Sequence, residues 1–354
     1  MRTRPRRPTL LPTPDRPPVT GPEPGSAPDL LAAKLRVLTR AQWGEAAREA
    51  ATFPGGAALV DGATAWLLLD PDPLAALGPA LVWADRRGVT DLHLLVETAP
   101  GVVARRAGLF SPAPTVWCVE GATVTPADPA PPRPSAPAPP APELAELLVD
   151  ADIEVVVEEG IVRGEVLGLE VARIAHGATT AGTPIDEPTL EVGVGHADRE
   201  MSSLVHGGMP ARDQLARVVE IVREQRRVGA ERHPLNQLAP ERWLRAVLVA
   251  DPGRLGLASL RSAPPAEPRP NLRDPAVAIA VGTDASGAEV VVACSVGIHL
   301  DLVPAAADAR LALAPEARLL LVVPERDAHP VTRALAERLT QPAELLPLEG
   351  DWRT

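Results

Sequence analysis

The pattern with the clearest potential for metal chemistry is the run from Gly195 to Glu200, which holds His196, Asp198 and Glu200 at every second position. An apolar stretch before it, Leu190–Val194, is typical of a strand. If that strand continues, the three polar side chains share one face of it, because side chains alternate along a strand. An imidazole and two carboxylates could then hold a divalent ion. The alternative is three polar residues on a solvated strand face.

A group of basic residues follows further along the chain. A helix is predicted from Pro210 to Val228, and Gly229 is its expected end. Its last turns and the next loop carry four arginines and a histidine: Arg223, Arg226, Arg227, Arg232 and His233. Cations at the C-terminal end of a helix complement its dipole, which explains them without any ligand. The alternative is an anion-binding site, since guanidinium groups bind phosphate and carboxylate in a bidentate way.

Charge is unevenly distributed across the region that contains both patterns. Residues 143–200 hold 14 Asp and Glu against 3 Arg, whereas residues 201–262 hold 6 Asp and Glu against 10 Arg. One interpretation is that the acidic half and the basic half dock electrostatically. The other is an acidic, metal-holding edge that faces phosphate-binding arginines.

The order of elements between residues 143 and 250 resembles the restriction-endonuclease-like core of the PD-(D/E)xK superfamily. The positions that match its acidic residues are Glu165 in Arg163-Gly164-Glu165-Val166 and Glu191 in Leu190-Glu191-Val192-Gly193. The resemblance implies that these carboxylates hold a metal ion. The position of the family's lysine is Gly193, and the segment contains no lysine. The resemblance therefore implies a degenerate relative that does not cleave its substrate.

Proline-rich stretches predict how the chain is divided. We expect a disordered tail over residues 1–28, an N-terminal α/β domain over 29–123, a flexible Pro-rich linker over 124–142, and a C-terminal α/β domain over 143–350. The last domain divides into a strand-rich part with the long helix (143–262), a loop (263–275) and an α/β part (276–350). The predicted fold class is α/β with mixed sheets.

The first and third segments show the same order of predicted elements: hairpin, helix, strand, helix, strand. The first begins with a helical pattern over Leu30–Phe53 and has a hairpin turn at Asp61-Gly62. Corresponding turn and strand-end residues of the two segments are separated by 223 to 229 residues. This near-constant spacing favours a duplicated ββαβαβ unit, although such units are common enough in α/β folds to arise by coincidence. Residues 242–249 fit either a helix or a strand.

Composition limits the classes of function. The 354 residues carry a formal net charge of −11, which argues against a protein that coats nucleic acid or membrane surfaces. No apolar run approaches the ~18–20 residues that span a bilayer. The arginines of residues 2–7 are not followed by an apolar stretch, so we expect a cytoplasmic protein without a secretory signal. These arginines could contact an anionic partner, including nucleic acid.

Three functions are compatible with these patterns, and one of them, a small-ligand sensor with a pocket between the last two segments, rests on the fold class alone. The first is a non-catalytic interaction or scaffold protein with a protein partner, because catalytic motifs are lacking and a repeat and a linker are present. The alternative is a metal-dependent phosphodiesterase that resembles a nuclease. Its divalent metal would be held by candidates among Glu165, Glu191, His196, Asp198 and Glu200, with Arg226 and Arg227 near the phosphate. The oligomeric state is not predicted.

Overall fold

The computed structural model describes residues 27–45, 48–133, 136–206, 208–230, 233–268 and 274–353. The mixed α/β class is confirmed, with parallel and antiparallel strands in the same sheets. The predicted disordered tail lies outside the described residues, apart from the first two residues of helix α1. No helix within the described ranges is long and apolar enough to cross a membrane.

The first unit is one six-stranded sheet with helices on both faces. Its strands lie in chain order, antiparallel from β1 to β3, parallel from β3 to β5, and antiparallel at β6. Asp61 and Gly62 form the predicted hairpin turn. The elements are α1 (Ala27–Trp43), β1 (Glu49–Phe53), β2 (Gly56–Asp61), β3 (Thr64–Leu69), α2 (Pro73–Arg86), β4 (Asp91–Val96), α3 (Pro100–Ala107), β5 (Thr115–Glu120) and β6 (Thr123–Pro126).

The predicted helix over Leu30–Phe53 is wrong in its second half. Helix α1 ends at Trp43, and Gly44 follows it with a φ of 76°. Glycine adopts this left-handed backbone without a steric penalty, so it ends the helix. Glu49–Phe53 is instead an edge strand that pairs antiparallel with β2. The prediction continues the helix across this turn, because the alanine-rich sequence after it fits either a helix or a strand.

The middle module is an antiparallel four-stranded sheet in the order β10-β9-β8-β7, packed against helices on one face. The apolar face includes Val162 and Val166, and it packs on α4 and α6. The opposite face of its strands carries Glu and Arg side chains. The elements are α4 (Pro142–Asp150), β7 (Glu154–Glu158), β8 (Ile161–Val166), β9 (Leu169–Ala175), β10 (Thr189–Val192), α5 (Gly195–His206) and α6 (Ala211–Gln225).

The third unit repeats the first, element by element, up to its last parallel strand. Its five strands lie in chain order, antiparallel from β11 to β13 and parallel from β13 to β15. The ambiguous residues 242–249 form the helix that precedes its first strand. The elements are α7 (Pro240–Ala250), β11 (Leu257–Ala263), β12 (Ala278–Asp284), β13 (Glu289–Cys294), α8 (Leu302–Leu313), β14 (Arg318–Pro324), α9 (Pro330–Glu337) and β15 (Glu344–Leu348). The shared order is αβββαβαβ, one helix and one strand longer than predicted.

The first and third units share one hydrophobic core. Helices α2 and α3 cover the inner face of the first sheet, α8 and α9 cover the inner face of the third sheet, and the two helix pairs contact each other. Within this core, Arg105 and Arg106 of α3 donate to the fully buried Asp308 of α8, at distances of 2.7 to 3.0 Å. Separate cores lie on the outer faces, under α1 in the first unit and under α7 in the third.

The Pro-rich segment is docked on the first unit over its described residues up to Arg133, so the prediction of a flexible tether is wrong there. Ala127 N donates to Val116 O and Ala130 N donates to Gly101 O, both at 2.9 Å. Arg105 Nη1 donates to the carbonyl oxygens of Ala130 and Pro131. These backbone hydrogen bonds offset the ordering cost of an otherwise extended segment.

Candidate binding cleft

A half-open cleft of about 520 Å³ lies where the middle module meets the third unit and the C-terminal tail. The loop after α6 forms one side, helix α7 contributes to the floor, and the tail after β15 forms the other side. Its lining is mostly polar and carries two guanidinium groups. The lining residues are Arg227, Gly229, Ala230, His233, Asn236, Gln237, Trp243, Asp351 and Arg353.

Trp243 of α7 lines the cleft and is contacted by the guanidinium of Arg226. The Arg226 guanidinium lies 5.3 Å from the centre of the Trp243 ring. Its nitrogens donate to the carbonyl oxygens of Leu167, Leu235 and Leu238, which belong to the loops on either side. Arg226 is only 2% exposed, so its charge stabilises the loops and the indole and is not available to a ligand.

The C-terminal tail adds a second cation near the same indole. The Arg353 guanidinium lies 4.4 Å from the ring centre of Trp352 and 5.5 Å from that of Trp243. The two indoles meet edge to face at 5.4 Å. Because Trp352 is buried in the outer core of the third unit, it anchors the tail and fixes where Arg353 lies.

The two arginines that line the cleft keep unpaired nitrogens. Arg227 donates through Nε to Glu224 O, and Arg353 contacts Asp351 through Nη1. Among the described residues, the two terminal nitrogens of Arg227 and the Nη2 and Nε of Arg353 have no hydrogen-bond partner. The exposed amide of Gln237 adds a further donor and acceptor. The cleft therefore offers several hydrogen-bond donors to a negatively charged group.

The predicted group of arginines is only partly assembled here. Arg227 lines the cleft, but Arg226 lies beneath it. Arg223 points elsewhere and donates to the carboxylate of Asp152 at 2.5 Å. Arg232 lies outside the described residues. The second arginine of the cleft is instead Arg353, because the fold brings the C-terminal tail close to the loop after α6.

The structure does not bring the five predicted metal ligands together. His196, Asp198 and Glu200 lie on helix α5, so the prediction that they share a strand face is wrong. On the helix, His196 and Glu200 are one turn apart at 3.5 Å, while the Asp198 carboxylate accepts from Val194 N at 2.7 Å. The described residues contain no group of three His, Cys, Asp or Glu that could hold a metal ion.

Glu191 and Glu165, the other two candidates, are each held by arginines. Glu191 accepts from Arg173 Nε at 2.8 Å and from Thr180. Fully buried Glu165 accepts from Arg245 at 2.5 Å and from Arg242. Burial alone would raise the pKa of Glu165, but the charges of Arg245 and Arg242 outweigh burial and the pKa is lowered.

These contacts belong to a ladder of alternating charges on the polar face of the middle sheet. Its order is Arg245, Glu165, Arg242, Glu158, Arg163, Glu170 and Arg199. Arg242 and Arg245 come from α7, so the ladder joins the middle module to the third unit. The interpretation that an acidic half and a basic half dock electrostatically is confirmed, as the pairs Arg242–Glu158 and Arg223–Asp152 show.

Comparisons of the chain with family models, curated proteins and solved structures gave no significant match. The resemblance of residues 143–250 to the restriction-endonuclease-like core therefore stays a prediction. The cleft has to be interpreted from its own residues.

Proposed function

We propose that this protein is a non-catalytic interaction protein and that the cleft binds an anionic group of its partner. The observation that carries the proposal is the pair Arg227 and Arg353, which keep unpaired nitrogens in one cleft. Most arginines of the middle module are paired with carboxylates, for example Arg163, Arg173 and Arg199. Guanidinium, amide and indole groups recognise ligands by hydrogen bonding and stacking.

The alternative of a metal-dependent phosphodiesterase receives no support from the site. That reaction needs carboxylates converging on a metal. Here Glu165 and Glu191 are each bound by arginines, and an arginine in direct contact competes with a cation for the same oxygens. We therefore propose binding, with a protein partner, as the function.

A reducing compartment fits this proposal. Both cysteines, Cys118 and Cys294, are free thiols, and they lie in different units of the fold. Proteins of oxidising compartments usually pair such residues. We propose a cytoplasmic location, which fractionation of the cells that produce the protein would test.

The proposed function is tested by thermal unfolding in sodium phosphate and in sodium chloride at equal ionic strength. A ligand at about 100 times its Kd adds about 2.7 kcal/mol to the free energy of unfolding. We expect phosphate to raise the Tm of the wild type but not that of the double variant Arg227→Gln, Arg353→Gln. The matched control is Arg217→Gln, an exposed arginine of α6 outside the cleft. An equal rise in the double variant, or no rise in the wild type, would refute anion binding in the cleft.

A further inference from the structure

The C-terminal tail places a carboxylate of the chain itself against a cleft arginine. Asp351 Oδ1 accepts from Arg353 N at 3.1 Å and lies 3.4 Å from Arg353 Nη1. Both residues line the cleft. The carboxylate of Asp351 therefore lies at the edge of a guanidinium that contacts two indoles.

The dimensions of the cleft favour a ligand larger than one inorganic ion. Its volume is about 520 Å³, whereas a water molecule occupies about 30 Å³ in the liquid. The cleft is also half open, so a chain could enter and leave through the open side. Arg227 and Arg353 come from different segments of the chain, so an extended ligand with several anionic groups can contact both.

The remaining lining groups match a peptide backbone. The exposed side chain of Gln237 carries an amide, which has the same donors and acceptors as a peptide bond. Gly229 and Ala230 leave the rim beside Arg227 without bulky side chains. Charged motifs of protein partners are commonly recognised by such arginine-lined surfaces.

We infer that the ligand is an acidic peptide segment of a protein partner, and that one of its carboxylates replaces Asp351 on Arg353. This inference rests on the proposed function. Asp351 then acts as an internal competitor, since its carboxylate contacts Nη1 and its negative charge repels an acidic ligand. Removing the charge of Asp351 while keeping its acceptor oxygen strengthens binding, and removing the charge of Arg353 weakens it.

Fluorescence anisotropy of the full chain with labelled hexaglutamate tests the inference, with labelled hexaglutamine as the neutral probe and inorganic phosphate as competitor. We expect hexaglutamate alone to bind and phosphate to displace it. Asp351→Asn should tighten binding by about 2- to 5-fold, the worth of an exposed ion pair. Arg353→Gln should weaken it by at least about 10-fold, the worth of a charge-assisted hydrogen bond. Arg217→Gln should leave it unchanged.

The possible failures are distinguishable. If phosphate stabilises the wild type but hexaglutamate does not bind, the peptide ligand is wrong and the anion-binding cleft stands. Unchanged affinity in Asp351→Asn would overturn the internal competitor. An equal loss in Arg217→Gln and Arg353→Gln would show that binding is non-specific and overturn the inference. If neither probe binds, the inference and the proposed function both fail.

Discussion

Phe110 and Leu339 face each other in an isolated antiparallel bridge between the first and third units. Ser111 N donates to Arg338 O on one side of this pair, and Thr340 N donates to Leu109 O on the other, both at 2.9 Å. Each residue follows the third helix of its unit, and their separation in sequence equals that between Glu120 and Glu349. The contact is therefore reciprocal, as at a local two-fold axis, and it joins the two units into one body.

The first prediction concerns this junction. Phe110 is 1% exposed, so Phe110→Ala should lower the free energy of unfolding by about 3–5 kcal/mol through lost burial and a cavity. Urea denaturation measures the change. Val37→Ala, at a 62% exposed position of α1, should change it by less than about 0.5 kcal/mol. A similar small change in Phe110→Ala would mean that the two units do not share a core.

A second prediction tests how closely α7 approaches the middle sheet. Gly168 has a φ of 73°, and an added Cβ would collide with the backbone of Arg242. Gly62 has a similar φ of 60° but nothing within 4 Å of that Cβ. Gly62→Ala should therefore cost only the strain of the left-handed backbone, about 1–2 kcal/mol, whereas Gly168→Ala should cost more than about 4 kcal/mol. Equal losses in urea denaturation would contradict this packing.

The charge ladder predicts that the free energy of unfolding falls at acidic pH. Because the pKa of Glu165 is lowered below its ordinary value of 4.5, its contribution is fully present above about pH 4.5. It is lost as the pH falls towards the lower pKa of the folded state. Urea denaturation at a series of pH values measures this loss, which should be shallower in Glu165→Gln.

At neutral pH, Glu165→Gln should lower the free energy of unfolding by about 3 kcal/mol, because Arg242 and Arg245 stay buried without their shared counter-charge. The control is Glu344→Gln, which removes an exposed ion pair with Arg318 and should cost less than about 1 kcal/mol. Comparable losses in the two variants would argue against a strong contribution from the ladder.

The two thiols should differ in reactivity. Burial raises the pKa of Cys294 to about 12, so it carries almost no thiolate at neutral pH, while Cys118 is half-buried. Iodoacetamide should therefore modify Cys118 first in the native protein, and Cys294 only after unfolding. Mass spectrometry of peptides from timed reactions measures this order. Early modification of Cys294 would contradict its position in the core.

Much of the fold follows from local sequence. The hairpin at Asp61-Gly62 and the order helix, strand, helix, strand after it were predicted from turn residues and apolar runs, and the structure has both. The errors lie where local preference is weak. Residues 195–200 fit a strand by alternation but form the first half of helix α5, because periodicity over six residues does not separate a strand from a helix.

The cleft could not be predicted from sequence, because its parts are far apart in the chain. Arg227 was a candidate through its place at a helix end. Nothing in the sequence connects it to Trp243 or to Arg353 in the tail. Likewise, Glu165 was a candidate metal ligand through the resemblance to the restriction-endonuclease-like core, and only the fold shows Arg242 and Arg245 occupying its oxygens.

The most direct test of the anion-binding cleft uses the indole N–H signals of the six tryptophans in a ¹⁵N NMR spectrum, with sodium phosphate titrated into the full chain. Trp243 and Trp352 lie at the cleft arginines, whereas Trp43, Trp66, Trp83 and Trp117 belong to the first unit. We predict saturable shifts confined to Trp243 and Trp352, and their loss in the double variant Arg227→Gln, Arg353→Gln. Unmoved signals for this pair, or equal shifts of the four tryptophans in the first unit, would contradict the proposal.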